Sequence, residues 1–254
     1  MAKSLLCVLL SFFITGFSLQ AQTKKLLTSV NSIESKETIE LKYNGKNQLV
    51  YLSEKGVIIF REFSFKYDKV TNQLTEAKMD QDRGDIVYNS KFTHTSGFVT
   101  EDLKKSGRQY PEKEDEQNQL DIDAKGNLID TKFDDGSVWD KFSYDANGNL
   151  SKYIIHSASG TPIYVADYTY GNIISPFAGI SDFPQWFWAM YVNNMKWCRD
   201  FIGPNSPDSL LLDDPRFGED DIKITYELDA DGYPVKQFYN DVLVREFTYT
   251  PAKK

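Results

Sequence analysis

The chain has 254 residues and a net charge of −8, with 29 Lys and Arg against 37 Asp and Glu. That balance argues against nucleic acid, whose phosphates require clustered cations, and against electrostatic docking on an anionic membrane. Two cysteines, Cys7 and Cys198, stand in unlike surroundings; once a leader carrying Cys7 is removed, no internal disulfide is expected and Cys198 reads as a buried thiol.

The leader comes first. Lys3 gives a positive start, Leu5 to Phe17 is an apolar run too short to span a bilayer comfortably, and Leu19-Gln20-Ala21 offers a small residue at a cleavage position. Residues 1–21 therefore read as a signal peptide cut after Ala21, and Cys7 lies too close to Lys3 for a lipidation motif. No later apolar run approaches spanning length, so no transmembrane segment is expected after cleavage. Residues 22–36 read as a polar lead-in, and 37–254 as a single β-repeat domain.

From Ile39 onward the pattern has period two. Ile39, Leu41 and Tyr43 alternate with Glu40, Lys42 and Asn44, and Asn44-Gly45-Lys46-Asn47 supplies a turn. Strands at Val50 to Ser53 and Val57 to Tyr67 follow, with reversals at Thr71-Asn72 and at Asp82-Arg83-Gly84-Asp85. Ser106 to Asn118, with its run Glu112-Lys113-Glu114-Asp115-Glu116, reads as a charged, solvated loop. Beyond it one phrase recurs: Asp123-Ala-Lys-Gly126-Asn-Leu128, Asp145-Ala-Asn-Gly148-Asn-Leu150 and Asp229-Ala-Asp-Gly232-Tyr-Pro234. Each is a hairpin tip whose Gly takes a left-handed position. Tyr164, Ala166, Tyr168 and Tyr170, and later Ile222, Ile224, Tyr226 and Leu228, alternate with polar residues, the mark of a sheet packed on one face and wet on the other. The 15 Tyr and 17 Phe fit strands. The fold class expected is all-β: a rolled antiparallel meander of hairpin repeats, an open or partial barrel, with one inserted aromatic helix.

The insertion spans about residues 172–218 and holds Pro176, Pro184, Pro204, Pro207 and Pro215. Within it, Asp182 to Asp200 predicts a helix, with Asp182 as its cap and Pro184 in its first turn. Trp186, Met190 and Trp197 share one side while Phe183, Phe187 and Tyr191 stand on an adjoining one, so the segment reads as a plug for the rolled sheet. The functional alternative is that Trp186, Trp188, Tyr191, Trp197 and Trp139 present flat faces to a ligand, with Gln185, Asn193 and Asn194 adding polar groups.

Recognisable reaction chemistry is missing. His94 and His156 sit on separate hairpins with no nearby Cys or His, so no metal site is expected. No nucleophile elbow, phosphate loop or dinucleotide fingerprint occurs, and the protein is expected to be no enzyme and to carry no cofactor. Glu227-Leu-Asp229-Ala-Asp231-Gly232 and Asp121-Ile-Asp123-Ala-Lys125-Gly126 imitate the opening of a calcium loop. Their twelfth positions are Phe238 and Lys132, where a bidentate Glu belongs, so turn chemistry is the better account.

Phe142-Ser-Tyr144-Asp145-Ala-Asn-Gly148-Asn-Leu150 resembles the Tyr-Asp repeats of the Rhs family. A broader resemblance, over roughly residues 37–250, is to the DUF4595-like exported proteins of Bacteroidetes, through Asn172-Ile-Ile-Ser-Pro176-Phe177-Ala-Gly179 and Tyr226-Glu-Leu-Asp-Ala-Asp-Gly232-Tyr-Pro234. That resemblance implies an open, rolled antiparallel sheet and export from a Gram-negative cell, to the periplasm or the exterior, and it implies no activity. Two functions stay open: a non-catalytic β-repeat protein binding a glycan or apolar ligand on an aromatic-lined concave surface, or a structural or interaction module that docks another envelope protein.

Overall fold

The computed structural model describes residues 23–132, 135–193, 195–214 and 218–253. The signal peptide, Asn194 and Pro215 of the sequence reading lie outside the described residues. Sixteen strands run in chain order: β1 (Lys25–Ser32), β2 (Glu37–Tyr43), β3 (Leu49–Lys55), β4 (Phe60–Tyr67), β5 (Leu74–Gln81), β6 (Ile86–Thr95), β7 (Phe98–Gly107) and β8 (Tyr110–Ile122). The second half holds β9 (Leu128–Lys132), β10 (Val138–Tyr144), β11 (Leu150–His156), β12 (Pro162–Ile174), β13 (Asn205–Asp214), β14 (Gly218–Leu228), β15 (Pro234–Tyr239) and β16 (Val242–Pro251). All neighbours are antiparallel, and the sheet is a closed barrel in which β1 pairs with both β2 and β16, from Lys25↔Pro251 to Ser32↔Arg245.

Closure corrects the open or partial barrel expected from the meander. The missing strand lay in the supposed lead-in. Leu26 and Leu27 are consecutive and both buried, and the register shifts between Leu27 and Ser29. That bulge breaks the period-two signal by which a strand is read. The charged segment Ser106 to Asn118 is likewise strand, not loop. There Leu103↔Glu116 and Lys105↔Glu114 keep the β7–β8 ladder going, and Lys105 pairs with Glu116. Both faces of that stretch are wet, so hydrophobic alternation had nothing to report.

Five hairpin tips at one end of the barrel, opening at Asn44, Asp68, Asp123, Asp145 and Asp229, are built from their own side chains. Asp145 Oδ1 accepts the backbone N–H groups of Asn147 (2.8 Å) and Asn149 (2.9 Å), and Asn149 Nδ2 donates to Asp145 Oδ2 (2.9 Å). Asp123 does the same with Lys125 and Asn127; Asn44 Oδ1 likewise accepts the Lys46 and Gln48 backbone N–H groups, while its Nδ2 donates to Gln48 Oε1 (2.7 Å). Gly148 stands at φ +92°, a conformation open mainly to Gly. Just inside these tips runs a belt of tyrosines. Tyr43, Tyr67, Tyr144, Tyr170, Tyr226 and Tyr249 each donate to the carbonyl near the start of the preceding strand: Leu27, Leu49, Leu128, Leu150, Pro207 and Pro234, at 2.5–3.0 Å. His94 takes the equivalent place against Leu74 O (2.6 Å). The bond gives the polar end of each largely buried tyrosine a partner.

A barrel of sixteen strands encloses a channel unless something fills it. The connection between β12 and β13 folds inward from the tyrosine end and fills that half. Its path is fixed by Ser181 N–H on Asn47 O (3.0 Å), Leu150 N–H on Ile202 O (2.9 Å), and Gly179, whose missing Cβ would stand 1.6 Å from Lys25 O. The expected helix is broken: α1 covers only Gln185–Met190, and a 3-10 turn occupies Lys196–Phe201. Asp182 is not the cap. It sits at φ +56° and accepts Gln48 Nε2 (3.0 Å), while Pro184 stands at the cap without a side-chain bond. A six-residue helix has little stability of its own, so packing holds it. Phe187 meets Phe65 at 5.2 Å, Phe183 meets Phe65 at 5.1 Å, Trp186 meets Phe92 at 4.9 Å, and Phe201 meets Phe247 at 5.4 Å.

The outer surface carries rows of charge on β4 to β8 and on β14 to β16, while β9, β10, β12 and β13 expose Ile129, Trp139, Ile163 and Leu211. In register, Lys66 faces Glu76, Glu76 faces Lys91, Lys91 faces Asp102, and Asp102 faces Gln117, a row of alternating charge across β4 to β8. On the far side, Lys236 lies between Glu227 and Glu246. Among the described residues no helix is long and apolar enough to cross a membrane.

Candidate functional site

The five aromatic residues proposed from sequence do not form one surface. Trp186, Trp188 and Tyr191 are buried in the plug, where Trp188 stacks on Phe177 (4.5 Å, 13°). Trp139 is 46 % exposed on β10, outside that cluster. Trp197 is the exception: its ring is buried among Phe177 and Trp188, yet it borders a cavity. Gln185 lies within the plug, and Asn193 reaches that same cavity.

This cavity is the barrel's other mouth, opposite the tyrosine belt, and encloses about 650 Å³. The wall comes from consecutive strands: Tyr239 of β15, Arg245 of β16, Ser32 of β1, Glu37 of β2, Glu54 of β3 and Arg61 of β4, with Glu34 on the β1–β2 turn. Asn193, Lys196 and Trp197 make the floor. Period-two alternation turns these wall residues inward, but it puts charge where the same strands carry apolar residues deeper in. Glu54 shares its face with Leu52, and Arg61 shares its face with Phe63 and Phe65.

Two buried ion pairs brace the mouth. Arg61 Nη1 donates to Glu54 Oε2 (2.9 Å), and Arg61 Nε donates to Gln81 Oε1 (3.1 Å). Burial pushes the Glu54 carboxyl up to about 7, with the Arg61 charge opposing and the Glu37 charge reinforcing that rise. Asp200 is fully buried, and its Oδ2 accepts Arg245 Nη1 (2.7 Å), Gln237 Nε2 (3.2 Å) and the Tyr239 hydroxyl. Such pairs cost desolvation, and hydrogen bonds to every remaining lone pair and proton normally offset it. Here they do not. Asp200 Oδ1, Arg245 Nε, Arg199 Nε, Trp197 Nε1 and the Tyr168 hydroxyl are buried without a partner among the described residues. On a third side, Asp140 accepts from the Tyr153 hydroxyl (2.8 Å), Thr131 Oγ1 (3.0 Å) and Asn193 Nδ2 (3.2 Å), and burial raises its carboxyl above the ordinary range.

Sequence reasoning missed Glu54, Arg61, Lys196, Asp200 and Arg245. The available signal was a charged residue at a position where the alternation calls for an apolar one, as at Glu54 and Arg61.

The calcium-like segments hold cations of another kind. Lys25 Nζ lies 2.7 Å from Asp229 and 2.6 Å from Asp231, and Lys132 Nζ lies 2.6 Å from Asp121. Among the described residues no group of three or more His, Cys, Asp or Glu is placed to hold a metal ion. Cys198 is fully buried, and burial pushes its thiol up, the opposite of an activated nucleophile.

No protein-family model matches the chain, and no curated protein matches it. Among solved structures it is similar to a porin-like protein from Bacteroides uniformis (16 % identity, 90 % of this chain and 96 % of that one, TM-score 0.48). It is also similar to a porin-like protein from Bacteroides vulgatus (12 % identity, 89 % and 99 %, TM-score 0.43).

Proposed function

We propose that the protein is an exported, non-catalytic barrel that stands in water and binds a small polar ligand in its open mouth. The observation that carries this reading is the mouth itself: a cavity of ligand size bordered by Trp197 and Arg245, each with a buried N–H that has no partner among the described residues. The plug argues against a channel, because rings fill the tyrosine half of the lumen. The wall supports a barrel in water over a lipid-spanning one, which needs an apolar outer band about 25 Å tall all round. Here exposed Ile129, Trp139, Ile163 and Leu211 are confined to β9, β10, β12 and β13, and the other strands carry rows of Lys, Asp and Glu. The leader pattern of residues 1–21 supports export to the periplasm or cell exterior, and the Asp-x-x-Gly tips support kinship with the DUF4595-like exported group. The paired state of Glu54 and Asp200, each held by an arginine, supports a binding role over catalysis by carboxylates.

Trp197 borders the mouth, so the test is tryptophan fluorescence of the mature protein titrated with amino acids, short peptides, sugars and small acids. A saturable response to one class, lost in Ser32→Trp with no change in unfolding midpoint, is expected. No response to any class overturns the reading. The rival, a docking module, draws on Val57 (76 % exposed), Ile58 (87 %) and Val242 (65 %), apolar tips of two turns at this end of the barrel. Val57→Ser with Ile58→Ser leaves small-ligand binding unchanged if the mouth is the site.

A further inference from the structure

We infer that the ligand of the mouth is a zwitterion of the amino-acid or short-peptide class, an inference that rests on the ligand-binding reading above. The charges at the mouth and just beneath it divide into two sets. Glu54 with Arg61 and Asp200 with Arg245 are internal pairs, and their charges are already compensated. Glu34, Glu37 and Lys196 line the same cavity, and among the described residues none of them is in an ion pair. Glu37 has only the Ser35 hydroxyl, 2.9 Å from its Oε2.

These free charges are separated by sign. Both carboxylates belong to the β1–β2 turn and the start of β2, on the wall, while the ammonium is on the floor at the head of the 3-10 turn. The floor adds a second feature favouring an anionic group. Trp197 is 2 % exposed, borders the cavity and has an indole N–H with no acceptor; Arg245 Nε, also at the lining, has none either. A carboxylate beside Lys196 gains a charge-assisted hydrogen bond from its ammonium, with the Trp197 and Arg245 N–H groups buried behind the lining, and an ammonium at the wall meets Glu34 and Glu37. A neutral sugar makes no use of these three charges, and a simple anion pairs with only one sign of them. The volume, about 650 Å³, admits a di- or tripeptide.

The experiment is isothermal titration of the mature protein with trialanine, N-acetyl-trialanine, trialanine amide, the doubly blocked peptide and maltose. Trialanine is expected to bind at least about tenfold more tightly than the doubly blocked form. Lys196→Gln should weaken trialanine by about tenfold and leave trialanine amide unchanged. Glu37→Gln should weaken trialanine and leave N-acetyl-trialanine unchanged. Equal affinity for free and blocked peptide overturns the inference, as does a loss in either variant that is the same for every peptide. Binding of maltose with none of the peptides overturns the zwitterion and leaves the ligand-binding mouth standing. Binding of no member, here and across the wider fluorescence panel, removes both.

Discussion

Trp188→Ala separates a packed plug from a binding surface. The ring is 1 % exposed, stacks on Phe177 at 4.5 Å, and meets Phe183 at 4.7 Å and Trp197 at 5.9 Å. A buried Trp removes about 150–250 Å² from water, which at about 25 cal/mol per Å² is about 4–6 kcal/mol, an upper figure because the unfolded chain is itself partly collapsed. The neighbouring rings belong to the plug and cannot close the gap without moving, so a cavity remains, and Trp→Ala changes of this type cost about 3–5 kcal/mol. Trp139→Ala is the internal control: at 46 % exposure only about half as much area leaves water, so it should cost clearly less, about 2 kcal/mol. Urea unfolding of both variants beside wild type measures this directly, provided the slope stays constant. Equal midpoints for the two variants would refute the plug.

Gly148→Val should cost about 1–3 kcal/mol from backbone strain alone, since φ is +92° and an added Cβ meets nothing within 4 Å. Gly179→Ala should cost more, because its Cβ would overlap Lys25 O on β1; matching thermal melts for these two variants would contradict the plug's contact with the closing strand. Stability should fall as pH rises from about 4.5 to about 7. Glu54 titrates near 7 when folded against 4.5 as its ordinary value, so the folded chain binds more protons in that window, and the loss is up to about 3 kcal/mol. Glu54→Gln should flatten that slope, and urea midpoints that rise with pH in wild type across this window would sink the assignment. Melting curves with chelator and with added calcium should superimpose, because Lys25 already neutralises Asp229 and Asp231; a calcium-dependent rise of several degrees would reopen those tips as ligands.

The local parts of this protein are written in short stretches of its sequence. A tip such as Asp145 to Asn149 closes on itself through bonds spanning no more than four residues, so Asp, Gly and Asn in that order announce it. The alternation in β12 and β14 likewise reports one dry and one wet face. The aromatic plug was legible as a dense, uncharged run, though its helix was not: Asp182 looked like a cap but is engaged by Gln48 from a different hairpin. Closure and the mouth were decided only in three dimensions. Whether the meander stays open depends on Leu26 and Leu27 finding β16, a contact between the two ends of the chain that no local pattern encodes. The mouth gathers Glu54, Arg61, Lys196, Asp200 and Arg245 from remote segments. Each alone reads as an ordinary surface charge; for Glu54 with Arg61 and Asp200 with Arg245 it is burial against the partner, which closure of the barrel imposes, that makes a site.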